Sequence, residues 1–189
     1  MRRLLFKNLI HGPLTEAAPP RDETAVAELA AQVDRAARQR LGRALAIRAV
    51  DAGSCNGCEL ELHALGNVLY DLERFGLRFV ASPRHADVLL VTGPVTVNMR
   101  EALERTWQAM PHPKWVVAVG DCARDGGMFA GSYACVGGIS AVLPVDLHIR
   151  GCPPSPLTLL KGLLALLRRA ADHECVAAGF KGIGQMAGE

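Results

Sequence analysis

Two short runs, VLLV within ADVLLVTGP (residues 86–94) and WVVAV within WVVAVG (residues 115–120), are apolar without interruption and soon closed by glycine. A strand that alternates can show water one face; a strand apolar at every position can show it none, so both runs belong inside a sheet covered on both sides. Residues 44–50, 77–81, 87–91, 115–120 and 145–149 read as five strands, and helical patterns separate them. Val26, Leu29, Ala30, Val33, Ala37 and Leu41 recur at three and four, predicting a helix over residues 23–41 that ends at Gly42. Leu62, Leu65, Val68, Leu69 and Leu72 predict another from Cys58 to near Gly76. Residues 98–110 and a Leu-rich stretch over residues 156–170 supply two more. Strand and helix in alternation imply an α/β fold, a flavodoxin-like doubly wound parallel sheet with helices on both faces. This domain spans residues 44–172. Residues 1–43 hold a basic segment, the Pro-rich linker GPLTEAAPPRD and the first helix, and residues 173–189 read as an irregular tail.

The 189 residues suit one domain, and a net charge of +2 with no block of like charge argues against a nucleic-acid surface. The basic excess sits at the N-terminus, where the first fifty residues carry nine Arg or Lys against five acids. Arg2-Arg3 suggest a twin-arginine export signal, but Lys7, Asn8, His11 and Pro13 break the apolar run that such a signal needs. Leu4, Leu5, Phe6, Leu9 and Ile10 instead form one side of a short basic amphipathic segment suited to a membrane surface or a partner, unless the terminus is simply frayed. No stretch of eighteen apolar residues is present to span a bilayer; LTLLKGLLALL is short and carries Lys161.

Six cysteines without an export signal point to reduced thiols with chemical or metal-binding work. Cys55 and Cys58 follow the first strand, Cys122 the fourth and Cys152 the fifth. The carboxyl ends of parallel strands share one edge of the sheet, so four thiols separated by 63 and 29 residues can converge there. Asn56-Gly57, Gly120, Gly151 and Pro153 lie beside them, as a bulky cofactor wrapped by backbone requires, and a Cys followed by Pro recurs among iron-sulfur ligands. Four thiolates suit a [4Fe-4S] cluster or tetrahedral zinc; one close pair plus two distant singles fits the cluster better than a zinc ribbon. Unrelated buried cysteines are the third reading. Cys135 is left outside the set as a small apolar residue, and Cys175 because it lies near the tail in a stretch with no motif. Arg48, Arg124 and Arg150 lie close enough to the loops to favour a reduced, more anionic cluster, or are solvated loop arginines. The Gly-rich residues 126–138 lack the pattern of a phosphate cradle, and no G-x-G-x-x-G follows the first strand, which argues against a nucleotide.

CNGCELEL, GDCARDGGMFAGSYA and PVDLHIRGCPPSP, in that order over roughly residues 45–169, resemble the family that unites the small subunit of membrane-bound, energy-converting [NiFe] hydrogenases with the 20 kDa subunit of respiratory complex I. The resemblance implies that Cys55, Cys58, Cys122 and Cys152 hold one [4Fe-4S] cluster, and that the chain is an electron-transfer subunit without bond chemistry of its own. It implies three kinds of partner: a large [NiFe] hydrogenase-like subunit facing Cys55 and Glu61, a ferredoxin-like iron-sulfur subunit, and integral membrane subunits facing residues 2–10. The location implied is cytoplasmic, peripheral on the inner face of the cell membrane. Complex I subunits place the first two ligands in tandem, whereas hydrogenase subunits of the formate hydrogenlyase and hydrogenase-4 type have Cys-x-Gly-Cys, as here. That favours hydrogenase, with NADH-quinone oxidoreductase, delivering electrons to quinone, and a zinc-binding scaffold as the alternatives. Glu61 matches an acidic position of both branches, and either couples protons to the cluster or, like Glu59, favours the helix N-terminus.

Overall fold

A computed structural model describes residues 23–181, with side chains described over residues 25–168. The basic segment, the linker and residues 182–189 lie outside the described residues. The elements in chain order are α1 (Glu23–Leu41), β1 (Leu45–Asp51), α2 (Gly57–Ala64), β2 (Leu77–Phe79), β3 (Val88–Thr92), β4 (Val95–Thr96), α3 (Val97–Ala109), β5 (Trp115–Val119), α4 (Asp121–Asp125), β6 (Cys135–Gly137), β7 (Leu147–Ile149) and α5 (Pro156–Lys181). Five strands form one sheet in the order β2-β1-β3-β5-β7, every pair parallel. Counted by its own strands, that is the flavodoxin-like order, which reverses between β1 and β3. β4 and β6 make a separate antiparallel pair.

The two apolar runs are the central strands β3 and β5, buried along their whole length. Strand periodicity divides their side chains between two cores. Val88, Leu90, Val117 and Val119 pack with α1, α2 and α5, while Leu89, Val91, Val116 and Ala118 pack with Leu103, Ile139 and Leu143 on the other face. Burying each such side chain contributes roughly 1.5–3 kcal/mol. The start of the sheet is pinned by Asp87, which is 1% exposed. Its carboxylate accepts from Arg43 Nη2 at 2.6 Å and from the Ala46 backbone N–H at 3.0 Å, tying β1 to the entry of β3.

Two expectations are corrected. The helix expected from Cys58 to Gly76 ends at Ala64, and a separate short turn covers Leu72–Phe75. Gly66 follows at once, and the side chain of Asn67 then accepts from the N–H groups of Leu69 and Tyr70, replacing the helical ladder with a local turn. Leu62, Leu65 and Leu72 are buried as the periodicity required, but Val68 is 96% exposed. At the other end α5 continues past Ala170 to Lys181, so residues 173–181 are helical where a tail was expected. RRAADHEC is built of helix-tolerant residues whose weak apolar pattern hid the continuation.

Candidate cofactor site

The loop after β1 is built around Asp51, whose carboxylate oxygen accepts from the N–H groups of Gly53 (2.8 Å) and Ser54 (2.7 Å). Asn56 then adopts a left-handed conformation, φ +71°, at the mouth of α2. This places Cys55 before the turn, exposed, and Cys58 in the first turn of α2, half-buried. The loops after β5 and β7 are joined directly. Gly120 N–H donates to the Ile149 carbonyl at 2.8 Å and Asp121 N–H to the Gly151 carbonyl at 3.0 Å, which brings Cys122 alongside Cys152.

All four cysteines line one small pocket of about 70 Å³, together with Gly57, Gly93, Gly151 and Pro153. Glycine keeps the thiols free to turn inward. A Cβ on Gly120 would lie 2.7 Å from Cys58 Sγ, and one on Gly127 2.7 Å from Cys122 Sγ. Both glycines also have positive φ, +91° and +51°, so the backbone that makes the space excludes other residues twice over. Among the described residues no three of Cys, His, Asp and Glu are drawn together to grip a single ion. The thiols surround a space and do not meet at a point.

Crowding shows in the acidity of the thiols. Burial, then the charge of Glu59, then the other three cysteines push Cys58 up to about 12. Burial and Cys152 raise Cys122 as well, against a backbone N–H from Met128 that favours its thiolate. Four thiolates here repel one another, and a cationic group in the pocket would reverse that balance. A cradle lined by sulfur, cleared of side chains and disfavouring uncompensated thiolate fits a multi-iron group.

Other sequence candidates fall in different places. Cys135 lies on β6 opposite Thr96, and Cys175 falls in α5 with its side chain outside the described ones. Glu61 is half-buried on α2, but the carboxylate whose charge acts on Cys58 is Glu59, held by Ser54 Oγ donating at 2.5 Å. The serine was the missed signal: it precedes the first cysteine and its hydroxyl also accepts from Asn56 N–H at 3.1 Å. Arg124 is paired with Asp125 at 2.6 Å, which raises its pKa further. Arg124 and Arg150 border an open groove with Cys122 and Cys152, whereas Arg48 borders a different cavity.

Residues 55–166 match the family described as NADH ubiquinone oxidoreductase, 20 Kd subunit. The chain belongs to this family. Among relatives in it, formate hydrogenlyase subunit 7 of Escherichia coli (strain K12) is 45% identical over 129 residues, covering 68% of this chain and 51% of that protein. The chain thus spans about half the length of that relative. The probable membrane-bound hydrogenase subunit mbhJ of Pyrococcus furiosus is 42% identical, covering 69% of this chain and 78% of its own. An NADH-quinone oxidoreductase subunit of Citrifermentans bemidjiense is 44% identical over 68% of this chain and 75% of its own. A chain in the solved membrane-bound sulfane sulfur reductase, an archaeal respiratory membrane complex, superposes with a TM-score of 0.60 at 32% identity, covering 73% of this chain and 74% of that one. A chain of the Dm. baculatum [NiFeSe]-hydrogenase shares the fold, with a TM-score of 0.51 at 18% identity over 70% of this chain and 65% of that one. The relatives named are subunits of oxidoreductase complexes, and two of the proteins named are described as membrane-bound. Among the described residues no helix is long and apolar enough to cross a membrane.

Proposed function

We propose that this chain is the electron-transfer subunit of a membrane-associated [NiFe] hydrogenase-type complex, peripheral on the cytoplasmic face of the cell membrane, with Cys55, Cys58, Cys122 and Cys152 holding one [4Fe-4S] cluster. The observation that carries the reading is the four-cysteine pocket itself, cleared by Gly120 and Gly127. The bound cluster would supply one-electron storage. The four thiolates would hold it, and the Met128 N–H, already directed to the Cys122 sulfur, would offset charge there. Arg124 and Arg150 border the groove on the Cys122 and Cys152 side, together with Asp121 and Asp125. The chain would carry electrons between a ferredoxin-like iron-sulfur subunit and the Ni-Fe site of a large subunit, with integral membrane subunits completing the assembly. The Asn56-Gly57 spacer favours this over delivery to quinone.

The test is anaerobic purification of the complex with iron, acid-labile sulfide and zinc measured per chain, and with hydrogen-dependent and quinone-dependent activity assayed side by side. Equal iron and sulfide with hydrogen-dependent turnover is expected. Zinc without sulfide would overturn the cluster, and quinone reduction without hydrogen activity would overturn the hydrogenase assignment. Cys122→Ser and Cys152→Ser are expected to lose most of the iron, while Cys135→Ser keeps it; equal losses in all three would remove the ligand assignment.

A further inference from the structure

β1 is paired along its full length on neither side. Its inner edge pairs with β3 from Ile47 to Asp51, but its outer edge pairs with β2 only from Leu45 to Ile47. The last rung is Val80 N–H donating to the Ile47 carbonyl at 2.8 Å, after which Pro83 opens a helical turn that leads the chain away. Backbone groups of alternate residues in a sheet point to opposite neighbours. Ile47 faces β2 and Ala52 donates to Thr92 of β3. Ala49 and Asp51 therefore turn their N–H and C=O groups away from β3, into the gap beyond the end of β2.

A cavity of about 460 Å³ occupies that gap, walled by Leu62 of α2 and by Phe79 and Val80 at the end of β2. Its polar lining is Arg48, Asp51, Glu59, His63 and Thr92. Arg48 Nε and Glu59 Oε1 are both buried without a hydrogen-bond partner among the described residues. Buried polar groups are rarely left unpaired, and here a donor and an acceptor are left beside the same space. The gap thus offers a ladder edge, one extra donor, one extra acceptor and an apolar wall.

We propose that an extended segment of a partner subunit docks here, adding a strand against Ala49–Asp51 where β2 stops. Polypeptide supplies N–H and C=O at the spacing a strand edge demands, which a small apolar ligand does not. The segment places an apolar side chain against Leu62, Phe79 and Val80, and polar groups on Arg48 and Glu59. The chain's own residues 1–22 and a second copy of the chain are the rival occupants, and the test separates them from a partner subunit. The proposal rests on the chain being one subunit of a larger assembly.

The test compares amide exchange in the free full-length chain and in the purified complex, with a photo-crosslinking phenylalanine analogue at position 79. In the complex the Ala49 and Asp51 amides are expected to exchange at least about tenfold more slowly, with crosslinks to a peptide of a different subunit. Unchanged exchange overturns the proposal, as do crosslinks to residues 1–22, to a second copy of this chain or to no protein. Ala49→Pro removes an outward N–H and no rung to β3, and is expected to weaken co-purification of that subunit roughly fivefold or more, the worth of about one hydrogen bond. Its iron content should stay at the wild-type level, which separates a failed docking edge from a failed cluster.

Discussion

Adding one carbon at Gly120 tests the cysteine pocket with the least collateral change. A Cβ there would sit 2.7 Å from Cys58 Sγ and 3.4 Å from the Gly151 carbonyl oxygen. Carbon atoms in contact normally sit about 3.5–4.0 Å apart, so the sulfur must retreat by roughly 1 Å. The φ of +91° adds a backbone cost for alanine, about 1–3 kcal/mol. Gly131 separates the two effects: its φ is +80°, and an added Cβ would meet nothing within 4 Å. Gly131→Ala therefore carries the backbone cost alone, lowering Tm by about 2–12 °C for a domain of this size. Gly120→Ala is expected to show a similar or larger Tm loss and, in addition, to lose half or more of its iron after anaerobic reconstitution. Iron and sulfide per chain, read beside thermal unfolding by circular dichroism, give both quantities. If Gly120→Ala fills with iron as the wild type does, or Gly131→Ala loses as much, the pocket does not place the Cys58 sulfur where the cofactor binds.

Two further outcomes follow from charge. Cys58 ionises near 9.0 in the unfolded chain but is pushed up to about 12 in the fold, chiefly by burial and then by Glu59. The cluster-free fold therefore holds this proton more tightly than the unfolded chain does. The stabilisation is complete below pH 9 and is lost as pH rises toward 12. Urea unfolding of the cluster-free protein between about pH 8 and 10.5 should fall more steeply for wild type than for Cys58→Ser; parallel slopes would refute the crowding of the thiols. At the other end of the sheet, Asp87→Ala leaves the Ala46 N–H without its acceptor, while Arg43, half exposed, can turn to water. The expected loss is about 1–3 kcal/mol, seen as a lower urea midpoint with unchanged iron per folded chain.

What the sequence made legible, and what it hid, divides by the range of the forces involved. The parallel sheet was visible because β5 is apolar at every position and β3 at every position but its last, Thr92, a pattern that burial on both faces accounts for. The cysteine convergence was visible because topology alone puts the ends of β1, β5 and β7 on one edge. The end of α2 at Ala64 was hidden by a helical period that Leu65 and Leu72 continue to satisfy after the helix has ended. The short antiparallel pair β4 and β6 was hidden too, since two residues of one and three of the other carry no periodicity to read. Glu59 and Ser54 emerged as a pair only in three dimensions, because their bond depends on the left-handed turn at Asn56.

That turn bears on which member of the family this chain resembles in function. Asn is among the few residues that accept positive φ as single steps, and at +71° Asn56 reverses the chain from the β1 loop into α2, with its carbonyl accepting from Leu60 N–H at 3.1 Å. Gly57 follows under Cys55, where a Cβ would come 3.6 Å from its sulfur and 4.0 Å from Pro153. The spacer is thus what allows an exposed Cys55 and a half-buried Cys58 to address one pocket from opposite ends of a turn. Cysteines in tandem have no residue between them to make the step, and must present their sulfurs by a different backbone path. Overall identity does not register this difference: relatives named for formate hydrogenlyase, membrane-bound hydrogenase and quinone oxidoreductase stand at 45%, 42% and 44%. The two residues between Cys55 and Cys58 shape the mouth of the pocket, a local feature that an overall percentage does not resolve.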